Sequence, residues 1–181
     1  MALIKLGANA ITALPTGVGG KVLQVVNTIK TDAFSASVGG ASSANITGLA
    51  VNITPSSSSN KILINAQVNA TNSGGVWHYF HITRGGTKIG IGDQHGSNRQ
   101  RETVFVSPYN TDTNDSGSLQ ILDTPNSTSQ QTYQVVIQNG AGSSQTLQVN
   151  TNNSSDLTSR ASFACTITAM EIAGWWLKKQ Y

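Results

Sequence analysis

Apolar and polar residues alternate along most of the chain with the period of two that marks half-buried β-strands. The clearest stretch is Thr47-Gly-Leu-Ala-Val-Asn-Ile-Thr-Pro-Ser-Ser-Ser-Ser-Asn-Lys-Ile-Leu-Ile-Asn-Ala-Gln-Val. Leu49, Val51 and Ile53 alternate with small or polar residues, and Pro55 removes a backbone donor and ends the ladder. Ser56 to Asn60 predict a polar turn whose side chains bond the local backbone. From Lys61 a second strand follows, with Ile62, Ile64, Ala66 and Val68 on one face.

The same reading extends in both directions. Lys21 to Lys30 predicts a first strand, with Leu23, Val25 and Asn27 on one face and Val22, Gln24 and Val26 on the other. Ser35 to Ala44, small and Gly-rich, predicts a loop. Val76 to Thr83 is aromatic and β-branched, a strong strand by propensity, and Arg84-Gly-Gly-Thr predicts a hairpin turn into Lys88-Ile-Gly-Ile-Gly. Gly92 to Arg101 predicts a polar loop, Thr103 to Ser107 a short strand stopped by Pro108, and Asn110 to Ser116 another loop. Leu119 to Leu122 predicts a short strand and Asp123 to Asn126 a turn. Thr132 to Gln138 and Gln145 to Asn150 predict a hairpin around Asn139-Gly-Ala-Gly. Asn150 to Thr158 predicts a loop and Ser162 to Ile172 the last long strand.

That makes about ten short strands at regular spacing with no convincing helix, the pattern of an all-β fold. An antiparallel β-sandwich is expected, with a jelly roll as the best single match. The expected organisation is an extended arm over 1–20, a sandwich over 21–174 and an aromatic, basic tail over 175–181. The arm carries Leu3, Ile4, Leu6, Ile11 and Leu14 and ends in the flexible joint Pro15-Thr-Gly-Val-Gly-Gly. The tail reads Trp175-Trp176-Leu177-Lys178-Lys179-Gln180-Tyr181. Trp and Tyr are frequent interface anchors, whereas chain ends are usually polar. Arm and tail are therefore expected to attach the domain to a neighbour, the alternative being a tail folded back under its own sandwich.

Composition narrows the picture. The 181 residues fit one domain with a real core. Charged residues are only 10% of the chain, against about 25% in ordinary globular domains. Such a surface suits dense packing beside copies of itself. The net charge of +3 is too weak and scattered to argue nucleic-acid binding. No run approaches the roughly 18 apolar residues of a membrane span, and the first residues lack the pattern of a signal peptide. Synthesis in the cytoplasm without a classical leader is expected. Cys165 is the single cysteine, so no intrachain disulfide forms; inside an apolar run it reads as a small buried hydrophobe.

Candidate chemistry is sparse. His78 and His81 stand three apart in a strand and so point to opposite faces. Asp93 and His95 share a parity but have no third ligand nearby. No metal and no cofactor is expected, a metal on a symmetry axis staying open. No nucleophile elbow or phosphate loop is present. The acids are spread too thinly to suggest the two converging carboxylates of a glycosidase, so no enzymatic activity is expected. Arg84, Arg99 and Arg101 lie near loop tips, placed either to grip a neighbour's carboxylates or a glycan or simply to be solvated.

Five stretches carry a family resemblance: Gly20-Lys-Val-Leu-Gln-Val-Val, Gly48 to Ile64, Ile82-Thr-Arg-Gly-Gly-Thr-Lys-Ile-Gly, Leu122-Asp-Thr-Pro-Asn-Ser-Thr-Ser-Gln-Gln-Thr-Tyr-Gln-Val, and Ile167-Thr-Ala-Met-Glu-Ile. Over about Gly20 to Gly174 the chain resembles a class of tailed-phage virion proteins, many from marine and cyanobacterial phages, described as tail-fibre, head-fibre or capsid decoration proteins. The Trp175 to Tyr181 extension departs from members that stop near Met170-Glu-Ile. The resemblance implies a non-enzymatic virion component, a homotrimer, with no catalytic residues to transfer. The leading expectation is a capsid decoration or head-fibre protein bound to the major capsid protein or another virion protein. The alternative is a tail-fibre receptor-binding module that recognises host surface glycan. No nucleic acid and no membrane enters either.

Overall fold

A computed structural model describes residues 21–72, 77–108, 113–151 and 162–174. Among them are eleven strands and no helix: β1 (Val22–Lys30), β2 (Phe34–Val38), β3 (Ser43–Ile53), β4 (Lys61–Asn72), β5 (His78–Arg84), β6 (Thr87–Ile89), β7 (Val104–Val106), β8 (Asn114–Asp123), β9 (Gln131–Asn139), β10 (Gln145–Val149) and β11 (Cys165–Ile172). Every pairing is antiparallel.

The strands form two sheets. In sheet A, β4 pairs with β8 along one side, while β11 and β10 share its other side; β1 flanks β11 and β2 flanks β10. In sheet B, β9 lies between β3 and β5, and β6 and β7 share the far side of β5. The order β1-β11-β4-β8 in one sheet and β3-β9-β5-β7 in the other makes the expected antiparallel all-β sandwich.

The alternation read from the sequence picks out the core. Leu49, Val51 and Ile53 of β3, Ile62, Ile64, Ala66 and Val68 of β4, and Phe80 and Ile82 of β5 are all buried together. Tyr133, Val135 and Ile137 of β9, Leu147 and Val149 of β10, and Ile167 and Ala169 of β11 complete the same cluster. Burying each such side chain stabilises the fold by about 1.5–3 kcal/mol. The Arg84–Thr87 turn joins β5 to β6 with φ of 54° at Gly85 and 86° at Gly86, which only a two-residue turn of the primed type requires.

Three expectations need correction. Ser35 to Ala44 is not one loop: Phe34–Val38 is β2, hydrogen-bonded to β10, and β3 already starts at Ser43. Its alternation, Phe34-Ser-Ala-Ser-Val38, is clean, but a loop taken to start at Ser35 cuts Phe34 off from it. Asn110 to Ser116 is not all loop either, since β8 starts at Asn114 and pairs with β4 over ten residues; its polar residues are held by the ladder and by side-chain bonds such as Ser116 Oγ to Asn69 Oδ1. Strands β9 and β10 do not form a hairpin, because they lie in different sheets. Asn139 explains this: its buried Nδ2 donates to the carbonyls of Val38, Gly39 and Ser143, turning the chain across the sandwich. The Ser56–Asn60 turn is present as expected, and it carries the chain from β3 in sheet B to β4 in sheet A.

In β1 the apolar face points outward. Leu23, Val25 and Ile29 are exposed, while Gln24, Val26, Thr28 and Lys30 turn inward. The polar members are satisfied there. Gln24 Nε2 donates to Thr54 O and Glu171, Thr28 Oγ1 donates to Ala50 O, and Lys30 pairs with Asp32 at 2.6 Å.

Candidate functional site

The two ends of the described domain meet at one corner. Ala173 N donates to Lys21 O at 2.9 Å, and Gly174 N donates to Asn60 Oδ1 at 2.9 Å. The corner is tied by Glu171, which is 1% exposed. Its Oε1 accepts from Ser56 N at 2.7 Å, Ser56 Oγ at 2.8 Å and Asn60 Nδ2 at 2.5 Å; its Oε2 accepts from Gln24 Nε2 at 2.6 Å. Burial alone would raise this carboxyl's pKa, but the hydrogen bonds from Asn60, Gln24 and Ser56 outweigh it and hold the pKa below its ordinary value. The polar turn and the Met170-Glu-Ile motif are thus one structural unit. The chain enters at Lys21 and leaves at Gly174 side by side. The expected attachment residues of the arm (Leu3, Ile4, Leu6, Ile11, Leu14) and of the tail (Trp175, Trp176, Leu177, Lys178, Lys179, Tyr181) lie outside the described residues.

Beside this corner, the outer face of sheet A is apolar. Val25 pairs with Met170, Met170 with Leu63, and Leu63 with Leu122. One row of apolar side chains therefore crosses four strands, roughly 14 Å at the usual strand spacing. Val25 and Leu122 are 55% and 54% exposed, and Leu23 and Ile172 extend the patch toward the chain ends. The next row outward is polar: Asn27, Thr168, Asn65 and Gln120. Asn27 donates to Thr168 Oγ1 and Gln120 to Asn65 Oδ1, so that row satisfies itself.

The outer face of sheet B carries a different feature. Tyr79 of β5 pairs with Phe105 of β7, their ring centroids 5.6 Å apart. Trp77 meets Phe105 edge-on at 6.4 Å. Gly140 permits this approach: a Cβ there would sit 2.8 Å from Trp77 O and 2.8 Å from Tyr79 Cε2. Tyr79 and Phe105 border a cleft of about 550 Å³, also lined by Asn98, Arg99, Gln100 and Glu102. Glu102 is committed inward, to His81 Nδ1 at 2.5 Å and to Lys88 Nζ at 2.5 Å. Gln100 donates to Asn139 O at 3.3 Å, and its buried Oε1 has no hydrogen-bond partner among the described residues.

The three arginines do not converge. Arg84 pairs with Asp123 at 2.6 Å, and Tyr133 donates to the same oxygen at 2.8 Å; burial, then this bond, push the phenol's pKa up. Arg84 thus ties the domain to itself. Arg101 Nε donates to Gly92 O within its own loop, whereas Arg99 lines the cleft. His78 and His81 do point to opposite faces, His81 toward Glu102. No group of three His, Cys, Asp or Glu among the described residues is placed to hold a metal, and no described helix is long and apolar enough to cross a membrane. Sequence reasoning missed Trp77, Tyr79, Phe105 and Gln100, and the row Val25–Met170–Leu63–Leu122. For the row the signal lay in β1, where Leu23, Val25 and Ile29 make one face more apolar than the face of Gln24, Thr28 and Lys30.

No family model and no curated protein matches the chain. Among solved structures it is similar to the VP2 subviral particle of infectious bursal disease virus, at 11% identity and a TM-score of 0.38. That match covers 84% of this chain and 38% of the VP2 chain, so this chain spans well under half of its length. A likeness of that size carries no argument about function.

Proposed function

We propose that the protein is a non-enzymatic structural component of a virion: a capsid decoration or head-fibre protein that binds the shell as a homotrimer. The observation that supports this is the exposed apolar row on sheet A, placed at the corner where both chain ends leave. Contiguous apolar surface on a soluble domain marks an interaction site. Here it lies beside Lys21 and Gly174, the residues at which the arm and the aromatic tail join the domain. The family resemblance of the sequence points the same way.

The energetics call for several copies. Covering the half-exposed Val25 and Leu122 gains about 1 kcal/mol each and the more covered Met170 and Leu63 less, about 3 kcal/mol in all, a contact weaker than millimolar even before the costs of association. Three subunits presenting it together convert weak contacts into stable attachment. Low charge makes such close packing tolerable, and Lys178 and Lys179 add steering toward an acidic shell.

The test is binding to purified particles assembled without the protein, read by co-sedimentation. Wild-type protein is expected to sediment with particles, and the double variant Val25→Asp, Leu122→Asp to stay in the supernatant while melting like wild type. Undiminished co-sedimentation of the double variant overturns the proposal.

A further inference from the structure

We propose that the cleft beside Tyr79 and Phe105 is a binding site for a neutral oligosaccharide. It lies on the outer face of sheet B, away from the apolar row on sheet A, and does not rest on the attachment reading.

The first ground is the aromatic group. Trp77 and Phe105 are 56% and 52% exposed, although such side chains are usually covered. They are not loose surface residues. Pairing of β5 with β7 fixes Tyr79 opposite Phe105, and the bare backbone of Gly140 fits beneath Trp77 and Tyr79. A pyranose ring presents one face of C–H groups, which packs on a fixed aromatic ring, and a rim of hydroxyls, which needs nearby polar partners.

The second ground is the polar wall. Gln100 stiffens that wall, its Nε2 donating to Asn139 O at 3.3 Å. Asn98 adds both a donor and an acceptor, and Arg99 adds donors at the rim. The charge fits a neutral ligand. Of the two charged lining residues, Glu102 is already shared by His81 and Lys88, leaving Arg99 alone. A nucleic-acid strand needs a run of cations along its backbone, and the cleft does not provide one.

The experiment is saturation-transfer NMR on the full chain with cellohexaose, maltohexaose and chitohexaose at millimolar concentration. Binding of at least one hexasaccharide is expected, weakened about tenfold by Phe105→Ala and unchanged by the sheet A double variant. A melting curve shows that Phe105→Ala is folded; if it is not, Tyr79→Ala replaces it with the same expected loss. The proposal is overturned if none of the three sugars binds, or if the folded aromatic variant binds as wild type does.

Discussion

Replacing Glu171 by Gln tests how the corner of the sandwich is held. The substitution keeps shape and volume but removes the charge and one acceptor oxygen. Glutamine can keep its carbonyl toward Ser56 and Asn60, where Glu171 Oε1 accepts three hydrogen bonds. Its amide then faces Gln24 Nε2, donor against donor. Gln24 can turn over, but it then gives up its bond to Thr54 O. The net loss is one hydrogen bond plus the charge assistance of the others, about 2 kcal/mol. For a domain of this size that lowers Tm by roughly 4–8 °C. The assay is thermal and urea unfolding of both proteins across pH. The sign follows from the lowered native pKa: the charge's contribution is present above the unfolded-state value, 4.5, and is lost as pH falls through the native one. Wild type and Glu171→Gln should therefore differ at neutral pH and converge in acid. Equal stability at neutral pH, or a difference that persists unchanged in acid, refutes the reasoning.

Other expectations are more compact. Gly140→Ala pushes a methyl against Trp77 and Tyr79; it should cost about 1–3 kcal/mol and alter the near-ultraviolet circular dichroism. Burial pushes the Cys165 thiol pKa up, and its Sγ donates to Asn150 Oδ1 at 2.9 Å; it should resist thiol reagents in the native protein and react at once in denaturant. Removing Trp175 to Tyr181 should leave the melting curve nearly unchanged and lower occupancy on particles. Light scattering at micromolar concentration should report a trimer, and a stable monomer would count against close self-packing.

The inward faces of β3 and β4 were legible because burial on one face imposes strict alternation, as Ile62, Ile64, Ala66 and Val68 show. Strand β2 carries the same alternation in Phe34, Ala36 and Val38, but it is only five residues long beside a Gly-rich turn, and its place is set by pairing with β10. The partition of β9 and β10 into separate sheets was hidden for another reason. A tight Asn-Gly segment suits a hairpin and a crossing alike, and the buried bonds of Asn139 decide between them. The candidate sites were legible only in part. Arg99 was noticed as a loop cation, but its neighbours Tyr79 and Phe105 come from strands 26 residues apart in sequence, joined only by pairing. The apolar row needs four strands in register before it exists at all.

The attachment surface is tested most directly by electron cryomicroscopy of the intact virion, at a resolution that separates β-strands. The account predicts sheet A facing the shell or a neighbouring subunit, with Val25, Met170, Leu63 and Leu122 covered and both chain ends running into the contact. A virion in which that row faces solvent while another surface makes the contact contradicts it.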